Sequence, residues 1–164
     1  MTPQEEQYVH FVSCTDSLEL AWRILQEIKK WEAHPLIAPA FQFALIAYAK
    51  PYTISYGNTG RYKLDKRHVP AHHLNLHKRL IATRDQILAH ADLTVMEAKL
   101  HVAQTSLGQR ALIAQNVIYG AAELSNIDTI VELIEQTLNS MEVERKALEG
   151  QLPLTMRDEA TELK

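Results

Sequence analysis

One arginine occupies an unusual position in the helix that the sequence predicts over residues 70–91. A helix turns by about 100° per residue, so the leucines and isoleucines of this segment form one apolar arc, and Arg84 lies near its middle. A charged side chain on an apolar face is costly unless a partner compensates it. Two interpretations are open. Arg84 forms a buried salt bridge to an acidic residue of another helix, or it is kept at a cleft or subunit interface for an anionic ligand.

A histidine follows this arginine in the same segment. His90 lies about 120° further round the helix than Arg84, so the two side chains do not share a face automatically, although a long arginine could reach across. A histidine in the last turn of a helix is stabilised in its charged form by the helix dipole. From spacing alone, a surface histidine near a helix end explains His90 at least as well.

The segment from Arg61 to Arg84 is the most basic part of the chain, and Asp65 is its only acidic residue. Tyr56 and Tyr62 lie nearby and could stack on nucleic-acid bases. The residues that we expect to contact RNA are Arg61, Lys63, Arg67, His77, Lys78 and Arg79. A solvated loop and helix face is the simpler explanation, because charge runs commonly have that origin.

Histidine pairs in the same segment raise the question of a metal. His68 with His72, and His73 with His77, have the four-residue spacing that can hold a metal on a helix. Neither pair has an obvious cysteine or glutamate partner close in sequence, and we predict no metal site and no cofactor. The sequence also contains no glycine-rich phosphate loop, no nucleophile elbow and no paired-cysteine motif.

The spacing of apolar residues predicts four helices, over residues 5–31, 38–49, 70–91 and 126–148. Residues 93–118 alternate between apolar and other side chains and then continue as a second apolar run. This favours a short β-hairpin, although a helix fits the pattern nearly as well. We therefore predict an all-α fold, a four-helix bundle, with the hairpin as an addition between the third and fourth main helices.

The bulk composition fits a single domain of 164 residues, which we assign to residues 1–150, with a charged and frayed tail over 151–164. The lone cysteine, Cys14, cannot form an internal disulfide, which suits a reducing compartment. The polar first residues and the lack of a long apolar run indicate a cytoplasmic protein that does not enter a membrane. A net charge of −3 argues against coating nucleic acid with the whole surface but leaves room for a basic patch.

The stretch Arg84–His90, R-D-Q-I-L-A-H, resembles the signature of the HEPN superfamily. In that signature an arginine, a polar residue and, several positions later, a histidine lie on one helix of a four-helix bundle. The Ala-His-Ala-Asp at residues 89–92 resembles the form common in bacterial members. The resemblance covers roughly residues 5–148, and its specific part is confined to residues 80–92.

The resemblance implies a function and an assembly. Many HEPN proteins are metal-independent endoribonucleases that act as dimers, with two motifs brought together across the interface. By this resemblance Arg84 would neutralise the scissile phosphate, and His90 would act as general acid or base while the 2′-hydroxyl attacks. Asp85 would orient Arg84 or His90. Such proteins often act as toxins or in phage defence, sometimes with an antitoxin or other protein partner. The alternative is a non-catalytic HEPN-like module that binds RNA, a nucleotide or a protein.

Overall fold

The computed structural model describes residues 1–88, 99–106, 108–114 and 121–153. Four long helices make up most of this part: α1 Pro3–Ile28, α2 Ile37–Ala49, α3 Leu74–Leu88 and α5 Ile127–Glu149. A single-turn helix, α4 Ala121–Leu124, precedes α5. Two antiparallel sheets of two strands accompany them, β1 Ser55–Tyr56 with β2 Arg61–Tyr62, and β3 Lys99–Thr105 with β4 Gly108–Ala114. Within these described ranges, no helix is both long and apolar enough to cross a lipid bilayer.

Helix α1 provides one side of the core. It begins with a reciprocal cap, in which the Glu5 backbone N–H donates to Oγ1 of Thr2 and the Glu5 carboxylate accepts from the Thr2 backbone N–H. Its inner face buries Phe11, Leu18 and Leu25. Both α2 and α5 pack against α1, and α3 packs against α2. Burial of each large apolar side chain contributes roughly 1.5–3 kcal/mol, so packing of these faces is what holds the helices together.

Helix α2 lies between α1 and α3 and is apolar on most of its sides. Phe41, Leu45 and Tyr48 are almost completely buried, which is the expected environment for a helix that contacts other helices on two sides. Its sequence contains no charged residue. Helix α3 contributes Leu76 and Leu80 to the same core.

The predicted helices are confirmed, with different ends. Helix α1 ends at Ile28 rather than at Trp31. Helix α3 begins at Leu74, because the chain after Pro70 forms a 3₁₀ turn over Ala71–His73 before the α-helix starts. The last predicted residues of this helix, 89–91, lie outside the described residues, as does the predicted tail from residue 154 onward.

The expectation of an all-α chain is incomplete, because the connection between α2 and α3 is ordered around β1 and β2 and around two further 3₁₀ turns, Lys50–Tyr52 and Lys66–His68. Between α3 and α4 the described residues, 99–106 and 108–114, include a small two-stranded sheet. Leu100 lies opposite Ile113, and Val102 lies opposite Ala111. We call the β3–β4 sheet the ribbon.

Candidate functional site

Helix α3 carries Arg84 at the edge of the core. Leu76 and Leu80, two turns and one turn earlier, are buried, and the side chain of Arg84 is 20% exposed. Its Nη1 donates a hydrogen bond of 2.6 Å to Oδ1 of Asp85. The side chain of Asp85 is 60% exposed, so the pair lies where the core meets solvent.

The immediate surroundings of Arg84 bear on the two interpretations drawn from the sequence. Its Nε is buried and has no hydrogen-bond partner in the described part of the chain. The ion pair that Arg84 makes there is with its neighbour Asp85, and no acidic residue of α1, α2 or α5 pairs with it. A buried salt bridge between helices is therefore not supported in the described residues. The guanidinium keeps N–H donors that an anion could accept.

His90 lies outside the described residues, as do all of residues 89–98 and the side chains of 86–88. The predicted pairing of Arg84 with His90 therefore stays a prediction. Asp85, the third predicted catalytic residue, contacts Arg84 directly.

Two of the predicted RNA-contacting arginines are engaged within the chain. Arg79 makes two hydrogen bonds to the mostly buried carboxylate of Glu123, through Nε at 2.6 Å and Nη2 at 3.3 Å. Arg67 pairs with Glu144 of α5. The Arg79 guanidinium lowers the pKa of Glu123, and hydrogen bonding to Glu144 raises the pKa of Arg67. Both arginines therefore have structural roles, and RNA would have to compete with Glu123 and Glu144 for their guanidinium groups.

Three other predicted contacts, Arg61, Lys63 and Lys78, are exposed. The guanidinium of Arg61 stands 5.3 Å from the centre of the Tyr56 ring, a distance at which a cation–π interaction is favourable. In the described part of the chain these three side chains form no salt bridge, so a polyanion could bind them without breaking one.

His77, the remaining predicted contact, belongs mainly to the core. It is buried, its Nδ1 lies 2.8 Å from the hydroxyl of Tyr48, and its ring packs edge-on against Tyr52. Burial lowers the pKa of His77, and the nearby charges of Lys63 and Lys66 lower it further. The imidazole is therefore neutral near pH 7, which does not suit attraction of a phosphate.

A cleft of about 480 Å³ opens over this part of α3. His77 and Ile81 form part of its lining, and Lys63 and Lys66 stand at it from the α2–α3 connection. Ile81 and Arg84 are three residues apart on one helix and so lie on the same face. The cleft therefore lies on the same face of α3 as Arg84, and two exposed lysines line it.

A buried carboxylate that the sequence interpretation missed holds the β1–β2 turn. Glu6 of α1 accepts hydrogen bonds from the backbone N–H groups of Asn58 and Thr59, the Thr59 hydroxyl and the Tyr62 hydroxyl. These bonds, those from Thr59 above all, lower the pKa of Glu6 to about 2. On a helical wheel Glu6 lies within about 60° of the apolar Ala21 and Ile28, a signal in the sequence that could have identified it.

The other end of the same connection is tied to α5. His68 is buried, and its Nδ1 lies 3.3 Å from the Ser140 hydroxyl. Its Nε2 lies 2.8 Å from a carboxylate oxygen of Glu144, in a contact that is not aligned as a hydrogen bond. Arg67 binds the same carboxylate. The connection, which carries Arg61, Lys63, Lys66 and Arg67, is thus fastened to α1 at one point and to α5 at another.

The ribbon has two different faces, because residues opposite one another in an antiparallel pair project to the same side. One face carries Leu100, Ile113 and Val102, whose side chains are 65%, 67% and 53% exposed. The other face carries a basic set, Lys99, His101 and Arg110, together with Leu112. Every residue of β3 is exposed.

No protein-family model matches this chain, and searches of curated proteins and of solved structures return no significant match. What the site can do is therefore judged from its own residues.

Proposed function

We propose that this chain is a metal-independent endoribonuclease of the HEPN type, a four-helix bundle that forms a homodimer with Arg84 and His90 at its active site. The observation that carries the proposal is the setting of Arg84. Its guanidinium lies at the edge of the core, its Nε has no hydrogen-bond partner in the described chain, and its ion-pair partner is the exposed neighbour Asp85. A phosphate would supply the acceptors that this group lacks.

The reaction that we assign to these residues is an intramolecular transesterification at a phosphorus of RNA. The 2′-hydroxyl attacks the adjacent phosphorus, the bond from phosphorus to the 5′-oxygen breaks, and the products are a 2′,3′-cyclic phosphate and a 5′-hydroxyl. His90 of one or both subunits takes the proton from the 2′-hydroxyl or delivers one to the leaving 5′-oxygen. Arg84 neutralises the charge that develops on the phosphate, and Asp85 holds its guanidinium.

The cleft beside α3 supports a path for the RNA. Lys63 and Lys66 bring positive charge to the face of α3 that continues to Arg84. The rise of a helix places Arg84 only about 4.5 Å further along the axis than Ile81, which lines the cleft. A strand bound at the lysines would therefore lie within reach of Arg84.

The ribbon supports the assembly that this proposal needs. A two-stranded hairpin is marginally stable by itself in water, and three or more strands or a packed face are needed to stabilise it. The apolar face formed by Leu100, Val102 and Ile113 is exposed in the single chain. A second copy of the chain would cover it, and the basic face with Lys99 and Arg110 would remain available to RNA.

The same exposed face favours one second candidate function. A non-catalytic RNA- or protein-binding module would also use the ribbon to hold a partner, for example an antitoxin, without any role for His90. The two candidates differ in a measurable way, because only the nuclease changes RNA covalently.

The test is incubation of the purified full chain with end-labelled RNA in excess EDTA. We expect cleavage with 2′,3′-cyclic phosphate ends, resistance of a substrate that carries a single deoxyribose at the cleavage position, and a loss of about 10²–10⁴ in rate for His90→Ala. His34→Ala, which removes an exposed histidine from the loop between α1 and α2, is the matched control. Cleavage that requires a divalent metal, or that survives His90→Ala unchanged, would contradict the proposal. RNA binding without cleavage would favour the module.

A further inference from the structure

Three side chains that can bind a metal meet where α3 begins. His72 and His73 belong to the 3₁₀ turn that leads into α3, and Glu132 belongs to the first half of α5. Their ligand atoms all lie within 4.8 Å of one another. His73 is buried, and His72 and Glu132 are exposed. This cluster is different from both histidine pairs considered in the sequence, since His68 contacts Glu144 and His77 contacts Tyr48.

The buried histidine of this cluster is unsatisfied. Nε2 of His73 is shielded from solvent and has no hydrogen-bond partner in the described chain. The nearest carboxylate oxygen, Oε1 of Glu132, is 3.9 Å away, which is too long for a hydrogen bond. Buried polar atoms without a partner are few in folded proteins, and a missing ion is one of the established reasons for them.

The buried ring of His73 offers a ligand atom. A neutral imidazole has a lone pair that can bind a metal, and Nε2 of His73, 3.9 Å from Oε1 of Glu132, has no hydrogen-bond partner in the described chain.

We propose that His72, His73 and Glu132 bind one divalent transition-metal ion, with Zn²⁺ the best match to two imidazoles and one carboxylate. Such sites place each ligand atom about 2.0–2.2 Å from the ion and complete a tetrahedron with water. Ligand atoms in a tetrahedron of that size lie about 3.3 Å apart. Rotation of the exposed side chains of His72 and Glu132 closes the remaining distance, while the buried His73 provides the fixed point.

The ion would link two helices rather than take part in RNA cleavage. It would join the entrance of α3 to α5 through side chains that lie 59 positions apart in the sequence (His73 and Glu132). Along α3, Arg84 lies roughly 16 Å from His73 by the helical rise. The metal site is therefore separate from the proposed nuclease site, and the two proposals do not depend on each other.

The experiment uses the full chain, freed of metal with EDTA and dialysed, and then titrated with Zn²⁺. We expect one ion bound per chain by calorimetry. At a Zn²⁺ concentration about a hundred times the Kd, the melting temperature should rise by roughly 5–10 °C. Co²⁺ in the same site should give the visible absorption of a tetrahedral complex.

Substitutions at the two exposed ligands locate the site without opening the core. His72→Ala and Glu132→Gln should each weaken Zn²⁺ binding by at least about tenfold, whereas His34→Ala and Glu19→Gln, at an exposed loop histidine and an exposed helical glutamate, should leave it unchanged. Absence of Zn²⁺ binding, or equal binding by the ligand variants and the wild type, would overturn the inference. No RNA enters this assay, so its outcome is independent of the nuclease test.

Discussion

Replacement of Arg84 by methionine tests whether this arginine is kept for a ligand or holds the fold together. Methionine retains an apolar stem that can pack where the arginine stem packs. The variant removes the ion pair to Asp85 and the buried Nε, and it leaves the surrounding leucines in place. Wild type and variant would be compared by thermal unfolding and by RNA cleavage in EDTA.

The structure allows the size of the stability change to be estimated. Asp85 is 60% exposed, so loss of its ion pair with Arg84 costs only about 0–1 kcal/mol. Removal of a buried donor without a partner acts in the other direction, because burying such a group unpaired costs roughly 1–3 kcal/mol. The second contribution is the larger, so the net change lies between no change and a stabilisation of about 3 kcal/mol. We therefore expect the melting temperature of Arg84→Met to stay at the wild-type value or to rise, by at most about 12 °C.

The variant should lose activity although its stability holds or rises. Loss of one group that stabilises charge in a transition state typically reduces the rate by about 10²–10³. Arg84→Lys should keep part of the activity, since it retains the charge but not the planar set of donors.

Arg79→Met is the matched control on the same helix. It leaves the mostly buried Glu123 carboxylate without its bidentate partner, so it should lower the melting temperature more than Arg84→Met does. Its cleavage rate at saturating RNA should remain close to that of the wild type. If Arg84 instead held a buried acidic residue of another helix, Arg84→Met would lose roughly 3–5 kcal/mol and melt some 6–20 °C lower, and that result would refute the reasoning.

Three further perturbations test other parts of the structure. The pKa of Glu6 is lowered from 4.5 to about 2 in the folded chain, so its contribution to stability is present above its unfolded pKa and is lost as pH falls from roughly 5 to 2. Glu6→Gln should therefore make the free energy of unfolding in urea less dependent on pH in that window. Parallel plots of this free energy against pH for the variant and the wild type would contradict the assignment. Tyr48→Phe should lower the free energy of unfolding by about 1–3 kcal/mol, because it strands the buried Nδ1 of His77; a change below about 0.5 kcal/mol would exclude that hydrogen bond. The double variant Leu100→Gln, Ile113→Gln should convert a dimer to a monomer by light scattering with an unchanged circular dichroism spectrum, and an unaltered dimer would exclude the ribbon as the interface.

The sequence by itself determined the four long helices, because the period of apolar residues is a local property that needs no knowledge of the partner. It also favoured a hairpin over a helix between the third and fourth main helices, where the structure has the ribbon. The helix ends were less predictable. The sequence predicts Pro70 as the first residue of α3, but Pro70 leads into a 3₁₀ turn, and the α-helix begins at Leu74.

Only the tertiary structure decided which charged residues have partners. Helical spacing gives the direction of a side chain around its own helix, but not the residue that faces it from another element. Arg84 is the arginine that the sequence predicts to need a partner, whereas Arg79 is predicted to contact RNA. In the structure Arg79 is held by Glu123, 44 positions away, and the partner of Arg84 among the described residues is its neighbour Asp85. Tertiary packing likewise brings Glu6 to Thr59 and places Glu132 near His73, and no local pattern in the sequence records either proximity.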